Sequence, residues 1–470
     1  MFRYSYTIDS SRHPLRLCQV HSDNPPSSVS TGVDSTGRLE TTPNRSLEPY
    51  WERVCPPDDD AGDGHRFFES EPGSRVDGRP GGGNEAKAFE ESLKPFEASS
   101  GIDVTYIPSA NFTVLIQSRV AGNFTPDIAI FPQPGLLQDL ARRGEFADLG
   151  QVLDLNKLKS TLFPGLLDST TVNDKVYGAP MRLAVKSLVW YPAPEFQKAG
   201  YTAPKTEGEL LALTDKIKAD GHTPWCLGME SGAGTGWVAT DWIEEYVLRF
   251  GGPDVYDKWV RHEIPFTDPV VKRAAQEFEK IAFTEGDVLG GRKTIVSTPF
   301  GTSPNPMFDS PPGCFLHRQG NFITSFFPDP VKADLPGNVD FFLLPPVEGG
   351  YNGQPMLNGG DLAALFNGKD PDAIKVMEFI TSDQFGGPWA KVGGWLSPHK
   401  TFDTSQYSDE ISRKLATTAG QVDLFRFDGS DAMPGSVGNG TFWRGMVDWV
   451  SGQKDLDAVL KDIDDSWPEQ

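Results

Sequence analysis

The stretch Thr125-Pro-Asp-Ile-Ala-Ile-Phe-Pro-Gln-Pro-Gly135 carries four apolar residues in a row and then two prolines and a glycine. A short apolar run bounded by turn formers reads as a strand covered on both faces, and the prolines stop it in a polar turn. In an open α/β sheet, the crevice beyond the carboxyl end of a strand is where loop amides and side chains converge without disturbing the packed sheet. This turn is therefore the first candidate ligand position, and it requires no catalytic group.

Reading outward, Ala86, Phe89, Leu93 and Phe96 form a helical stripe over residues 85–99, and Gly101 ends it before the alternating strand Ile102-Asp-Val-Thr-Tyr106. A second helix over 114–120, the strand at 127–131 and a third helix over 135–143 complete a layered βα lobe with a largely parallel sheet. Further on, 183–191 reads as a strand-like run and 207–219, 240–249 and 269–283 as helices of a second, more helical lobe. Strands at 339–346 and 361–366 are followed by helices at 372–381, 410–418, 442–450 and 456–463. The pairs Gly251-Gly252, Gly290-Gly291, Gly359-Gly360 and Gly393-Gly394 read as loop punctuation, with no phosphate-cradling motif among them.

The 470 residues, 38% of them apolar and 11% aromatic, suffice for two domains or one bilobed body. A formal charge of -22 argues against nucleic acid as a partner, because phosphate backbones are held by surplus Lys and Arg. No run of about 18 apolar residues is present to span a bilayer, and the amino terminus lacks the apolar core of a secretory signal. Residues 1–84 hold nine Arg and no Lys, whereas the remainder holds 12 Arg and 22 Lys. That stretch has no apolar period, so residues 1–83 are expected to be disordered and to be a non-native extension in place of the true leader.

Cys18 and Cys55 lie in that stretch, which leaves Cys226 and Cys314 for the body. Both neighbour Pro- and Gly-rich loops, which fits either a loop-to-loop disulfide in an oxidising compartment or two buried thiols. Neither belongs to a C-x-x-C pair, so no metal is expected. His317 reads as a structural neighbour of Cys314.

Seven strings, in order along the chain, carry a resemblance: Phe131-Pro-Gln-Pro-Gly135, Trp225-Cys-Leu-Gly-Met-Glu-Ser231, Gly236-Trp-Val-Ala-Thr-Asp-Trp242, Pro311-Pro-Gly-Cys-Phe-Leu-His-Arg-Gln319, Asn358-Gly-Gly-Asp361, Gly393-Gly-Trp-Leu-Ser-Pro-His399 and Gly440-Thr-Phe-Trp443. Over about residues 84–467 the chain resembles the extracellular solute-binding proteins of carbohydrate ABC importers, the maltose-binding-protein-like family, and within it the α-glucoside type. The resemblance implies a two-lobed α/β periplasmic-binding-protein-like fold. The amino-terminal lobe would comprise 84–182 and 347–396, the carboxyl-terminal lobe 183–346 and 397–470. Hinge-crossing segments are expected near 180–184, 344–347 and 394–398. In place of the family's hydrophobic first strand stands Ser74-Arg-Val-Asp-Gly-Arg-Pro-Gly-Gly-Gly83. Its Gly, Pro and charged residues suit a central strand poorly, so the amino-terminal lobe is expected to lack that strand.

A pyranose offers apolar C–H faces and a ring of hydroxyls, which call for aromatic platforms beside amides, carboxylates and guanidinium groups. Among the 11 Trp, Trp237, Trp395 and Trp443 are candidate platforms, with Trp443 foremost and Trp242 expected to be packing only. Phe131, Gln133, Arg182, Lys186, Glu230, Asp241, Gln319, Gly360, Asp361, Arg426 and Asp431 complete the candidate ligand set. Each polar member has a plain alternative: Glu230 as a turn cap, Asp361 as a loop residue, Arg426 paired with Asp428.

The function this implies is capture of a sugar, an α-glucoside or oligosaccharide, by hinge closure, followed by delivery to ABC permease subunits. No enzyme activity and no cofactor are expected, and the protein would act as a monomer. It would sit outside the cytoplasm, lipid-anchored in its native form. The rival reading is a glycoside hydrolase drawing a carboxylate pair from Glu230, Asp241 and Asp361. A third is a cytoplasmic sugar-responsive module, which needs no disulfide.

Overall fold

The computed structural model describes residues 73–78, 82–109, 112–422 and 424–468. The expected disordered extension lies, over residues 1–72, outside the described residues. Eleven strands are described: β1 Gly73–Gly78, β2 Asp103–Pro108, β3 Ile128–Phe131, β4 Thr171–Val172, β5 Lys175–Val176, β6 Gly178–Val185, β7 Leu188–Pro192, β8 His317–Arg318, β9 Val339–Leu343, β10 Pro355–Leu365 and β11 Leu424–Phe427. They form a six-stranded sheet of order β11-β10-β3-β1-β2 with β6 on the far edge of β10, a three-stranded sheet β8-β7-β9 and the small hairpin β4-β5.

The apolar run that opened the reading is β3, and all four of its residues are buried. Each large apolar side chain so removed from water contributes about 1.5–3 kcal/mol. β1, β2 and β3 are mutually parallel, with Arg75 opposite Thr105 and Val76 opposite Ile128. The expected missing first strand is therefore corrected: Gly73–Gly78 is that strand, between β2 and β3. Its ladder is made by backbone groups, which Gly, Ser, Arg, Val and Asp all supply, and Pro80 follows its last residue in sequence. The whole sheet is mixed rather than largely parallel, because β10 returns from the second sheet and enters antiparallel to both β3 and β6. The strand expected at 361–366 is the carboxyl half of β10. Gly359-Gly360 thus lies within a strand and is not loop punctuation.

Helix starts follow local chemistry. Thr206, Asp268, Asp370, Asp409 and Asp455 cap helices Glu207–Ala219, Pro269–Ala282, Pro371–Ile380, Glu410–Ala419 and Leu456–Asp465 by accepting from early backbone N–H groups. Each cap is worth about 1 kcal/mol. The helix expected at 240–249 runs longer, Trp237–Val260, across a kink at Gly252 with φ 70°.

The strand-like run at 183–191 divides into β6 and β7 at Lys186-Ser187, where the chain leaves the large sheet for the small one. Lys186 N donates to Leu357 O at 2.8 Å and Leu344 N donates to Ser187 O at 2.9 Å, so the outgoing and returning crossings lie side by side. The third crossing is held by Leu183 N donating to Leu396 O at 2.9 Å. Each sheet with its helices forms a lobe. In the second lobe Cys226 N donates to Leu316 O at 2.8 Å, which aligns the loops whose Cys226 and Cys314 form a disulfide with a Cα–Cα distance of 5.6 Å. The His317 ring shares a hydrogen bond with Cys226 O at 2.9 Å, the structural role expected for it.

Candidate ligand site at the strand crossing

Two charged constellations stand four residues apart, one on β6 and one just past its end. Arg182 faces Asp361 in the ladder with β10; its Nε lies 2.6 Å from Asp361 Oδ2 and one terminal nitrogen 3.1 Å from Glu85 Oε1. The guanidinium also sits 5.2 Å from the Trp389 ring centroid. Burial alone would lower the Arg182 pKa, but the Asp361 and Glu85 charges outweigh it and hold the group cationic. The strands approach closely here: a Cβ on Gly360 would lie 2.1 Å from Arg182 O, so only glycine fits between them.

Lys186, past the end of β6, donates to Asp241 Oδ1 at 2.9 Å and to Asp428, and its ammonium lies 5.4 Å from the Trp237 ring centroid. Its pKa is raised: burial opposes the charge, and Asp241 and Asp428 overcome it. Asp428 caps the short helix Gly429–Ala432, accepting from Asp431 N at 3.0 Å and Ser430 Oγ at 2.9 Å. Glu244, one turn beyond Asp241 on its helix, accepts from Gly429 N and Ser430 N, both at 3.0 Å.

Two of the expected platforms come together. A Cβ on Gly234 would lie 3.6 Å from the Trp443 ring and 3.7 Å from the Trp237 ring, so both indoles border the Gly232–Gly236 turn. Trp443 Nε1 donates to Ser430 Oγ at 3.2 Å, which ties this pair to the Asp428 turn. Gly236, with φ 119°, lets Trp443 O approach to where a Cβ would sit 2.2 Å away.

Other expected ligand residues are placed elsewhere. The Phe131 ring packs edge-on against Phe112 and Phe146 in the core. Trp395 is enclosed by Trp389, Phe385 and Phe402. Glu230 accepts from Gly232 N at 2.8 Å, the turn cap that was its alternative. Arg426 pairs with Asp257 at 2.7 Å, not with Asp428; it lines a cavity of about 630 Å³ with Tyr256, Asn358 and Trp467. Asp431 accepts from Asn439 at 3.1 Å. Trp242 packs against Trp225, Tyr246 and Phe278, as expected.

Gln133 stands at the amino-terminal end of helix Pro134–Arg142 without capping it. Its Oε1, Gln319 Nε2 and Asp361 Oδ1 are buried with no hydrogen-bond partner among the described residues. Buried polar atoms are normally paired, so these three retain hydrogen-bonding capacity that the described residues do not use. Carboxylates and amides satisfy hydroxyl groups without binding a charged ligand, and Lys186 and Arg182 are already neutralised by protein acids.

Residues that sequence reading did not single out include Asp428, Glu244, Glu245, Arg318 and Trp389. Asp241, Glu244 and Glu245 carry a signal, two acids three and four residues after a first one among the apolar residues Trp237, Val238, Trp242, Ile243, Tyr246 and Val247. For Asp428 the cue is Asp-Gly-Ser-Asp431 as a helix start.

Comparison with known proteins completes the description. Residues 82–305 match the family model described as bacterial extracellular solute-binding protein. The chain is 43% identical to the osmoprotective compounds-binding protein GgtB of Synechocystis sp., over 82% of this chain and 90% of that protein. It is 39% identical to the alpha-glucosides-binding periplasmic protein AglE of Rhizobium meliloti, over 83% and 85% of the two chains. Among solved structures, the bacterial solute receptor AcbH superposes with a TM-score of 0.69 at 19% identity over 81% of this chain and 94% of that one. Maltose-bound MalE3 of T. maritima superposes with a TM-score of 0.63 at 20% identity over 84% and 97%. These relatives are binding proteins rather than hydrolases. A two-lobed fold with three crossings, and relatives of this similarity along most of their length, place the chain in the family of bacterial extracellular solute-binding proteins.

Proposed function

We propose that the protein captures a neutral sugar, of the α-glucoside or small oligosaccharide class, between its two lobes and presents it to the membrane subunits of an ABC-type permease. The observation that carries this reading is the pairing of indoles Trp237 and Trp443 about one turn, beside the buried Arg182–Asp361 and Lys186–Asp241 pairs at the crossing. Aromatic plates meet the C–H faces of a pyranose, and the unpaired oxygens and amide nitrogen of Asp361, Gln133 and Gln319 meet its hydroxyls. The names of GgtB and AglE, one referring to osmoprotective compounds and the other to alpha-glucosides, support a small glucosidic ligand.

In this reading residues 84–182 and 347–396, joined by β1, act as one lobe and 183–346 with 397–470 as the other. Closing on the sugar adds contacts that only the closed form offers, so the ligand shifts the population toward it. Carriage outside the cytoplasm on a lipid tether, and action as a monomer without nucleic acid, belong to the same proposal. No described helix is long and apolar enough to cross a membrane.

Titration with trehalose, sucrose and maltose, followed by tryptophan fluorescence and by assay for released glucose, tests it. A saturable spectral change with no glucose is expected. Glucose release, or no response to any α-glucoside in either fluorescence or calorimetry, would overturn it.

A further inference from the structure

The crossing is crowded with more acid than base. Asp241, Glu244, Glu245 and Asp428 are each no more than 1% exposed, as is Arg318, while Arg249 is 2% and Lys186 4% exposed. Glu245 takes two of these cations, with Arg249 at 2.8 Å and Arg318 at 2.8 Å, and also accepts from Ser187 Oγ at 2.8 Å. Lys186 is the cation at the remaining three carboxylates, those of Asp241, Glu244 and Asp428; it is in hydrogen-bond contact with Asp241 and Asp428, and the nearest oxygens of all three lie within 4.8 Å of one another. Arg318 stands 3.9 Å from Asp241 Oδ2, beyond hydrogen-bond range and already committed to Glu245. Asp431 adds a further acid on the turn side, and the Tyr256 hydroxyl, which donates to Phe427 O at 2.9 Å, approaches from the same helix as Glu244.

Four carboxylates in a water-poor junction, those of Asp241, Glu244, Glu245 and Asp428, cannot all ionise against the three cations Lys186, Arg249 and Arg318. The uncompensated charge would be buried with no solvent to screen it. Lys186 already donates to Asp241 and Asp428, and a proton meets the remaining deficit. We propose that the Asp241–Glu244–Asp428 trio shares one retained proton at neutral pH, and that its loss to solvent in alkaline solution loosens the junction of crossing strand, helix Trp237–Val260 and turn Asp428–Asp431.

The three segments are joined by few other polar contacts at this point: Lys186 to Asp241 and Asp428, Glu244 to the Gly429 and Ser430 amides, and Thr240 with Ser430 at 3.2 Å. Release of the proton sets Asp241 against Asp428 across that seam. Burial, reinforced by the Asp428 charge against the pull of Lys186, pushes the Asp241 carboxyl up to about 8. Glu244 is raised as well, by burial and then by Asp428 and Asp241. Burial would raise Asp428, but the Lys186 charge together with hydrogen bonds from the Glu244, Asp241 and Lys186 side chains holds it well below the usual carboxylate range.

The sign follows: an acid whose folded pKa lies above its unfolded one binds more protons when folded, so stability declines as pH rises between the two values. The test is the melting temperature of the unliganded full chain from pH 6 to pH 10, for wild type and for Asp241→Asn, an outcome independent of which solute binds. Asparagine offers its carbonyl to Lys186 and its N–H to Asp428, and so reproduces the protonated state. Wild type is expected to lose several degrees between pH 6 and pH 9 that Asp241→Asn keeps; coincident profiles overturn the proposal. Should that variant not fold, the infrared carbonyl band of a protonated carboxyl, read in protein carrying Glu207→Gln and Asp287→Asn to remove the raised acids outside the trio, is expected at pH 7 and to bleach through about pH 8. Its absence at pH 7 likewise overturns the proposal.

Discussion

Arg182 and Asp361 face each other across β6 and β10 with Nε 2.6 Å from Oδ2, and both are almost fully buried. A buried pair is weak evidence of net stabilisation, since desolvating two ions costs several kcal/mol, but removing one partner strands the other. Asp361→Ala is therefore expected to lower unfolding free energy by about 3–5 kcal/mol, the usual cost of a stranded buried charge. The combined change Arg182→Met, Asp361→Leu and Glu85→Gln, which also neutralises the second buried carboxylate held by Arg182, should recover most of that loss. Urea unfolding of the three proteins measures both. A combined variant as unstable as the single one would show that the cluster does more than balance charge.

Trp443 is the foremost platform of the proposed site, with its ring beside the Gly232–Gly236 turn. Trp443→Ala is expected to weaken α-glucoside binding at least tenfold, about 1.4 kcal/mol, with Trp443→Phe retaining more than half of the lost affinity in free-energy terms. Calorimetric titration reads this directly. Unchanged affinity in Trp443→Ala, with the fold intact by circular dichroism, would remove the indole from the site.

The Cys226–Cys314 bridge closes a loop of 88 residues. In the chain-entropy account such a cross-link stabilises by about 2–5 kcal/mol. Melting under reducing conditions, or in Cys226→Ser, is expected to come several degrees lower with the fold kept. Identical melting with and without reductant would show that the bridge does not form.

On the acid side the histidines act. Burial holds His317 at about 4 and His399 at about 4, against an unfolded value near 6.5. A base with a depressed folded pKa binds fewer protons when folded, so its contribution is complete above about pH 6.5 and is lost as pH falls toward 4. His317→Asn keeps a donor for Cys226 O, and its urea midpoint is expected to fall less than that of wild type between pH 7 and pH 4.5. Equal losses would place the acid sensitivity in other groups.

Much of this was legible along the chain because it is local. The buried run of β3, the caps at Thr206 and Asp268, and the prolines that end strands act through nearest neighbours, and the helix at 207–219 appears with the expected bounds. Local reading failed where a strand depends on partners rather than composition. Gly73–Gly78 looks too polar and too glycine-rich to be central, yet its backbone completes the ladder between β2 and β3. It failed again at Phe131 and Trp395, since a ring in a loop string points to ligand or core according to what the rest of the chain brings beside it.

What the sequence determined alone was the order and kind of elements, the lobed α/β class and the chemistry a sugar site needs, because apolar period and turn chemistry are properties of a few consecutive residues. Only the tertiary structure decided that Asp241, Glu244 and Asp428 crowd one ammonium, that Arg426 faces Asp257, and that Gly360 lies inside a strand against Arg182. Those contacts join residues as many as 242 positions apart, and electrostatics acts on distance in space, which no local pattern of residues encodes.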